Sequence, residues 1–138
     1  MERGHFRLVV AGDIAQIHGH HKSFRVGDPT HEQTRLESGE ITTTGPMYGH
    51  KMMSRDPGTE AAALEAEILE RHQLTLESFR PLGKLATGTR RALAMDLGTP
   101  SVQAGPDDGS YVLEFSLPPG GYATTVTREV IKDEVSES

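Results

Sequence analysis

The chain has 138 residues, 35% of them hydrophobic and 25% charged, with 15 glycines and 8 prolines. That length holds one domain, or one domain and a piece of another, and the low apolar share limits the core to a modest size. Cysteine is absent, which excludes disulfide frameworks, thiolate zinc sites and cysteine nucleophiles. A net charge of −6 argues against nucleic-acid binding through bulk positive charge alone.

The first quarter reads as β structure. Phe6 to Val10 is a short apolar run that Gly12-Asp13 ends, too short for a secretory or membrane-spanning segment. No membrane association is therefore expected, and a cytoplasmic setting is the default. Asp13 to Ile17 and Lys22 to Val26 read as two short strands joined around His18 to His21. Pro29 suits the first turn of a short helix through Leu36.

Gly39 to Gly58 reads as a loop-rich passage, punctuated by Gly45-Pro46, Gly49 and Asp56-Pro57-Gly58. The clearest helix follows. Thr59 can cap Ala61 to His72, with acids early and Arg71-His72 late, as the helix dipole favours. Ala61, Leu64, Ile68 and His72 share one stripe, and the glutamates read as a solvated face. Arg91 to Leu97 alternates, and so, more convincingly, does Tyr111 to Leu117. Gly105 to Gly109 is a turn between them. Pro118-Pro119-Gly120-Gly121 then leads into a helical stripe on Ala123, Val126, Val130 and Ile131, although three threonines lower its propensity. The class is α+β, with mixed or antiparallel sheet elements and two to three helices.

Basic residues cluster at His18, His20, His21, Lys22 and Arg25, at His50, Lys51 and Arg55, and at Arg80, Lys84, Arg90 and Arg91. The His18-Gly19-His20-His21 turn invites a metal reading, since imidazole binds zinc readily. Consecutive turn residues rarely complete a coordination shell, and no carboxylate is spaced to help. A solvated turn is the better account, and no metal ligand is assigned.

Residues Phe115-Ser116-Leu117-Pro118-Pro119-Gly120-Gly121-Tyr122, continued by Ala123 to Val130 with Arg128-Glu129, carry more information. This strand, Pro-Gly turn, aromatic and Arg-Glu helix resembles the closing motif of the TruD family of pseudouridine synthases. Three further stretches match in order. They are Gly12-Asp13 with Gly19-His20 and Phe24-Arg25-Val26, Thr44-Gly45-Pro46-Met47-Tyr48-Gly49, and Glu60 to Leu69 followed by Gly88-Thr89-Arg90-Arg91-Ala92-Leu93.

The resemblance implies a partial pseudouridine synthase fold. Residues 1–88 would be the C-terminal part of the family's inserted domain, and residues 89–138 the last strands and helix of its catalytic domain. It also implies an enzyme class that isomerises uridine to pseudouridine in tRNA without metal or cofactor. The family's catalytic aspartate lies before the inserted domain, so Asp13, Asp28, Asp56 and Asp96 do not occupy its motif and no catalytic residue is assigned. A C-terminal fragment, inactive alone and completed by an N-terminal catalytic half or supported by a homodimer mate, is the expectation. A non-catalytic RNA-binding or protein-interaction module is the alternative.

By the same resemblance, Tyr122 would stack on an extruded uracil, and Arg128 would contact the substrate RNA. A core tyrosine and an ordinary Arg128–Glu129 ion pair are the blander accounts. Arg90, Arg91 and Lys22 are the candidate phosphate contacts, with solvated strand or hairpin ends as the alternative.

Overall fold

The structure is a computed structural model, and it describes residues 7–20 and 22–131. The chain divides into two compact units, Met1–Ala94 and Met95–Ser138.

The first unit is built on a four-stranded antiparallel sheet of order β2-β1-β3-β4. The strands are β1 (Ile14–Ile17), β2 (Ser23–Arg25), β3 (Ile41–Met47) and β4 (Thr89–Ala92). The expected β1–β2 hairpin is present, with Ala15 opposite Phe24. Residues 7–10, expected as β structure, form no strand; Phe6 lies outside the described residues.

Helix α1 (Pro29–Glu37) starts where Asp28 accepts from the Thr30 amide at 2.9 Å, with Pro29 in the first turn. Helix α2 (Glu60–Arg71) starts at Thr59, whose Oγ1 accepts from the Ala62 amide at 3.2 Å. It ends in a Schellman motif. The Leu74 amide bonds the Leu69 carbonyl, the Gln73 amide bonds that of Glu70, and Gln73 holds a left-handed φ of 55°. A 3₁₀ segment, Leu76–Ala86, follows and is broken at Gly83.

Strand β3 corrects the sequence reading, which treated residues 39–58 as loop. It is the strand that joins the two halves of the sheet. Its first half pairs with β1 and its second half with β4. Ile41, Thr42, Thr43 and Thr44 are all buried, so the polar–apolar alternation that marks a half-exposed strand is missing. Pro46 lies beyond the β1 pairing, where a missing N–H costs least. Gly45 is needed for space: a Cβ there would stand 2.9 Å from Leu93 Cδ2.

The hydrophobic core occupies one face of this sheet. Val9, Ala15, Val26 and Ile41 are buried together, with Phe24 and Leu36 packed against them. The Arg35 guanidinium lies 5.4 Å from the Phe24 ring centroid. On the other face, Ile14 and Thr44 are fully buried beneath a polar cluster described below.

The second unit contains β5 (Ser101–Ala104) and β6 (Tyr111–Glu114), paired as a two-stranded antiparallel sheet, and helix α3 (Ala123–Ile131). The expected turn closes the hairpin, the Gly105 amide donating to the Ser110 carbonyl at 2.8 Å. Two strand expectations are shortened. The one read over Arg91 to Leu97 ends at Ala92, and the one read over Tyr111 to Leu117 ends at Glu114. None of the described residues in this unit is buried. The α+β class with antiparallel sheets is as the sequence predicts. Among the described residues, no helix is long and apolar enough to cross a membrane.

Candidate functional site

Strand geometry separates two residues that the sequence placed side by side. Successive side chains on a strand point to opposite faces, so Arg90 and Arg91 on β4 cannot share an environment. Arg90 stands opposite Pro46 and Arg91 opposite Gly45. Arg90 faces the polar cluster and its side chain is 2% exposed, whereas Arg91 is exposed on the other face.

Every N–H of the Arg90 guanidinium is engaged within the protein. Nε donates to Thr44 Oγ1 at 2.9 Å, Nη1 to the Met53 carbonyl at 3.0 Å and to Glu65 Oε2 at 3.3 Å. Nη2 donates to the Thr44 carbonyl at 3.3 Å and to Glu65 Oε1. A phosphate would have to displace a carboxylate to reach it. Arg90, expected as a phosphate contact, is therefore placed as an internal ion-pair residue.

A second arginine completes the cluster. Arg55, in the loop before α2, donates Nε to Glu65 Oε1 at 2.5 Å, Nη2 to the Thr44 carbonyl at 3.2 Å and Nη1 to Asp13. Asp13 Oδ2 also accepts from the Val10 amide at 2.9 Å. Two guanidinium cations thus meet two carboxylates, so the cluster is electrically balanced although Asp13, Arg55, Glu65 and Arg90 are all largely withdrawn from solvent. Burial would lower the Arg55 pKa, but hydrogen bonds to Asp13 and Glu65 outweigh it and hold the group above its ordinary value. The Tyr48 hydroxyl donates to the Glu65 carbonyl at 2.9 Å. Burial, followed by the nearby Glu65 charge, pushes that phenol above its ordinary value.

Sequence reasoning passed over Asp13, Arg55 and Glu65. Glu65 was read with its neighbours as a solvated face, yet it turns inward while Leu64 is 43% exposed. The signal was present. Glu65 lies four residues after Ala61 and three before Ile68, inside the inward stripe, where a charge requires a partner.

The remaining candidates are scattered. Lys22 is exposed at the β1–β2 turn. Tyr122 is 61% exposed immediately before α3. Arg128 is exposed on α3, in a shallow concavity with Thr124, Thr127 and Ile131. His18 and His20 lie at the hairpin turn, and His21 is outside the described residues. Among the described residues no group of three or more His, Asp or Glu side chains could hold a metal ion.

Known proteins match this chain over nearly its whole length. The family model described as tRNA pseudouridine synthase D (TruD) matches residues 1–130. The chain belongs to the TruD family. A TruD protein of Geotalea daltonii is 44% identical over 125 residues, covering 90% of this chain and 30% of the relative. One from Anaeromyxobacter dehalogenans is 38% identical over 132 residues, covering 96% of this chain and 37% of the relative. The crystal structure of a TruD protein from Methanosarcina mazei superposes with a TM-score of 0.74 at 27% identity, covering 92% of this chain and 32% of that one. This chain therefore spans about a third of the length of the TruD proteins it matches.

Proposed function

We propose that this chain provides the C-terminal part of a TruD-type tRNA pseudouridine synthase, the enzyme class that isomerises uridine to pseudouridine in RNA. The observation that carries this reading is the continuous match to the TruD family over residues 1–130. Residues 1–88 serve as the end of the inserted domain and residues 89–138 as the last segment of the catalytic domain. The polar cluster belongs to the scaffold. Lys22, Arg91 and Arg128 carry phosphate contacts, and Tyr122 offers its ring to an extruded uracil. Arg90 acts indirectly, by fixing β4. The reaction uses no metal or cofactor, and it takes place in the cytoplasm.

The catalytic aspartate comes from polypeptide equivalent to the earlier two-thirds of the relatives, which pairs with this chain to complete the site. A uridine becoming pseudouridine exchanges its bond to the sugar from nitrogen to C5, so tritium at C5 is released. The test incubates C5-tritiated tRNA with this chain alone, and with this chain plus the complementary segment of the Geotalea daltonii relative. Release only in the mixture is expected. Robust release by the chain alone would sink the missing-aspartate reading, and no release from the mixture would sink the complementation.

A second reading, a protein-interaction module, is favoured by one observation. The second unit leaves Tyr111 76%, Val102 66% and Ile131 66% exposed, with no described residue buried. A lone two-stranded hairpin is marginal in water, so this apolar surface calls for a partner. A stable complex with the complementary segment that lacks isomerase activity would favour this second reading.

A further inference from the structure

Residues 52–71 cover one face of the four-stranded sheet, but they take no part in its hydrophobic core. That core lies on the opposite face and is made by Val9, Ala15, Phe24, Val26, Leu36 and Ile41. Within residues 52–71 only Met52 and Ala61 are buried apolar residues. Most of the attachment is instead polar: Arg55 reaches Asp13 and the Thr44 carbonyl, Arg25 on β2 reaches Asp56 and the Ser54 carbonyl, and the Glu65 carboxylate gathers both buried guanidiniums. Glu65 accepts from Arg55 within the segment and from Arg90 on β4, while Arg90 also holds the Met53 carbonyl.

We propose that residues 52–71 form a strap latched over the sheet by the Glu65 carboxylate, and that the strap opens as a unit, with the sheet and α1 still folded, when that charge is removed. This proposal is independent of the RNA-modification reading. The physical basis is an asymmetry in what each piece loses. Without the Glu65 charge, Arg90 keeps its bonds to Thr44 and Met53 but has no anion beside it, and a buried cation without a counter-ion is costly. Opening the strap returns that cation to water. Opening also parts Arg55 from Asp13, but both charges then return to water, and the sheet keeps the apolar core on its far face. The start of the strap has a fixed anchor: the Lys51 amide bonds the Thr87 carbonyl at 2.8 Å and the His50 amide bonds that of Ala86 at 3.3 Å. Elements with few buried apolar contacts open with smaller free energies than the core they cover.

The test is amide hydrogen exchange by mass spectrometry on the full chain, comparing the wild type with Glu65→Gln and with Glu67→Gln as an exposed control. Glu65→Gln should speed exchange across residues 60–71 by roughly tenfold or more, leaving residues 14–17, 29–37 and 41–47 at wild-type protection. Glu67→Gln should change neither. Unchanged protection of residues 60–71, or an equal loss in all segments, overturns the proposal. If Glu65→Gln does not fold, the wild type decides in sub-denaturing urea. Residues 60–71 should then open with a smaller free energy and a weaker urea dependence than residues 41–47. Identical values mean that strap and sheet are one cooperative unit, and the proposal fails.

Discussion

Glu65 on α2 and Arg90 on β4 are 25 residues apart in sequence and meet through both carboxylate oxygens. The arginine is the more deeply buried partner, at 2% side-chain exposure against 13%. Truncating one member of such a pair leaves an uncompensated buried charge, which typically costs about 3–5 kcal/mol. Arg90→Ala should therefore lower the urea-unfolding free energy by about that amount. Replacing the pair together, by Glu65→Leu with Arg90→Met, should recover most of the loss, because apolar replacements of similar volume are often neutral. A double variant as unstable as Arg90→Ala alone would contradict the pairing.

Gly49 and Gly88 approach backbone to backbone. A Cβ on Gly49 would lie 2.2 Å from the Gly88 nitrogen, and one on Gly88 would lie 2.6 Å from the Gly49 nitrogen. Neither neighbour is a flexible side chain that can swing aside. Gly49→Ala should cost about 1–3 kcal/mol or more by overpacking. Gly19→Ala is the comparison: its φ is 77° but nothing lies within 4 Å, so only the left-handed penalty of about 1–2 kcal/mol applies. Thermal melts of the two variants should rank in that order.

Helix α2 ends on Gln73, held at a φ of 55° in a position that glycine occupies without penalty. Gln73→Gly should stabilise the chain by about 1 kcal/mol, less the entropy that glycine adds to the unfolded state. The gain should appear as slower amide exchange in the last turn of α2. Faster exchange there would show that the Gln73 side chain contributes more than its backbone strain costs.

The elements that sequence reading recovered all carry local signals. Asp28-Pro29 and Thr59 mark helix starts through caps that the structure confirms, and Gly105 to Gly109 marks its turn. Strand β3 was missed because burial on both faces erases alternation and because Gly45-Pro46 resembles a turn. The polar cluster was missed for a related reason. Asp13, Arg55, Glu65 and Arg90 are ordinary surface residues until the sheet brings them together, and no short-range pattern joins positions so far apart. The Arg90-Arg91 pair shows the limit most directly, since the period of a strand assigns two adjacent arginines opposite fates.

Acid should weaken the corner between α1 and β3. Arg35 Nη2 bonds Glu40 Oε1 at 2.7 Å, and that hydrogen bond is the main reason the Glu40 pKa is lowered from its ordinary 4.5. A carboxylate with a depressed folded pKa contributes stability above its unfolded value and loses it as pH falls through the folded one. The contribution should therefore be complete at neutral pH and fade below about 4.5. Carboxyl titration followed by NMR should place the Glu40 midpoint below the ordinary glutamate value, and Glu40→Gln should flatten the acid limb of the stability curve. A Glu40 midpoint at or above the ordinary value would show that the pair does not persist in solution.

Binding to tRNA should separate the exposed cations from the buried one. Each phosphate contact releases counter-ions, so log Kd against log salt changes slope by about 0.9 for a duplex contact and about 0.7 for a single-stranded one. Lys22→Ala and Arg128→Ala remove side chains that the structure leaves exposed, and neither lies in the polar cluster. Each should weaken binding and reduce the salt slope by nearly one contact, with unfolding unchanged. Arg90→Ala should behave in the opposite way. Its guanidinium already has a protein acceptor for every N–H, so binding should fall only as far as the folded fraction falls. A reduced slope for Arg90→Ala in fully folded protein would mean that the arginine leaves Glu65 for the RNA. Unchanged slopes for both Lys22→Ala and Arg128→Ala would move the RNA surface away from those two side chains.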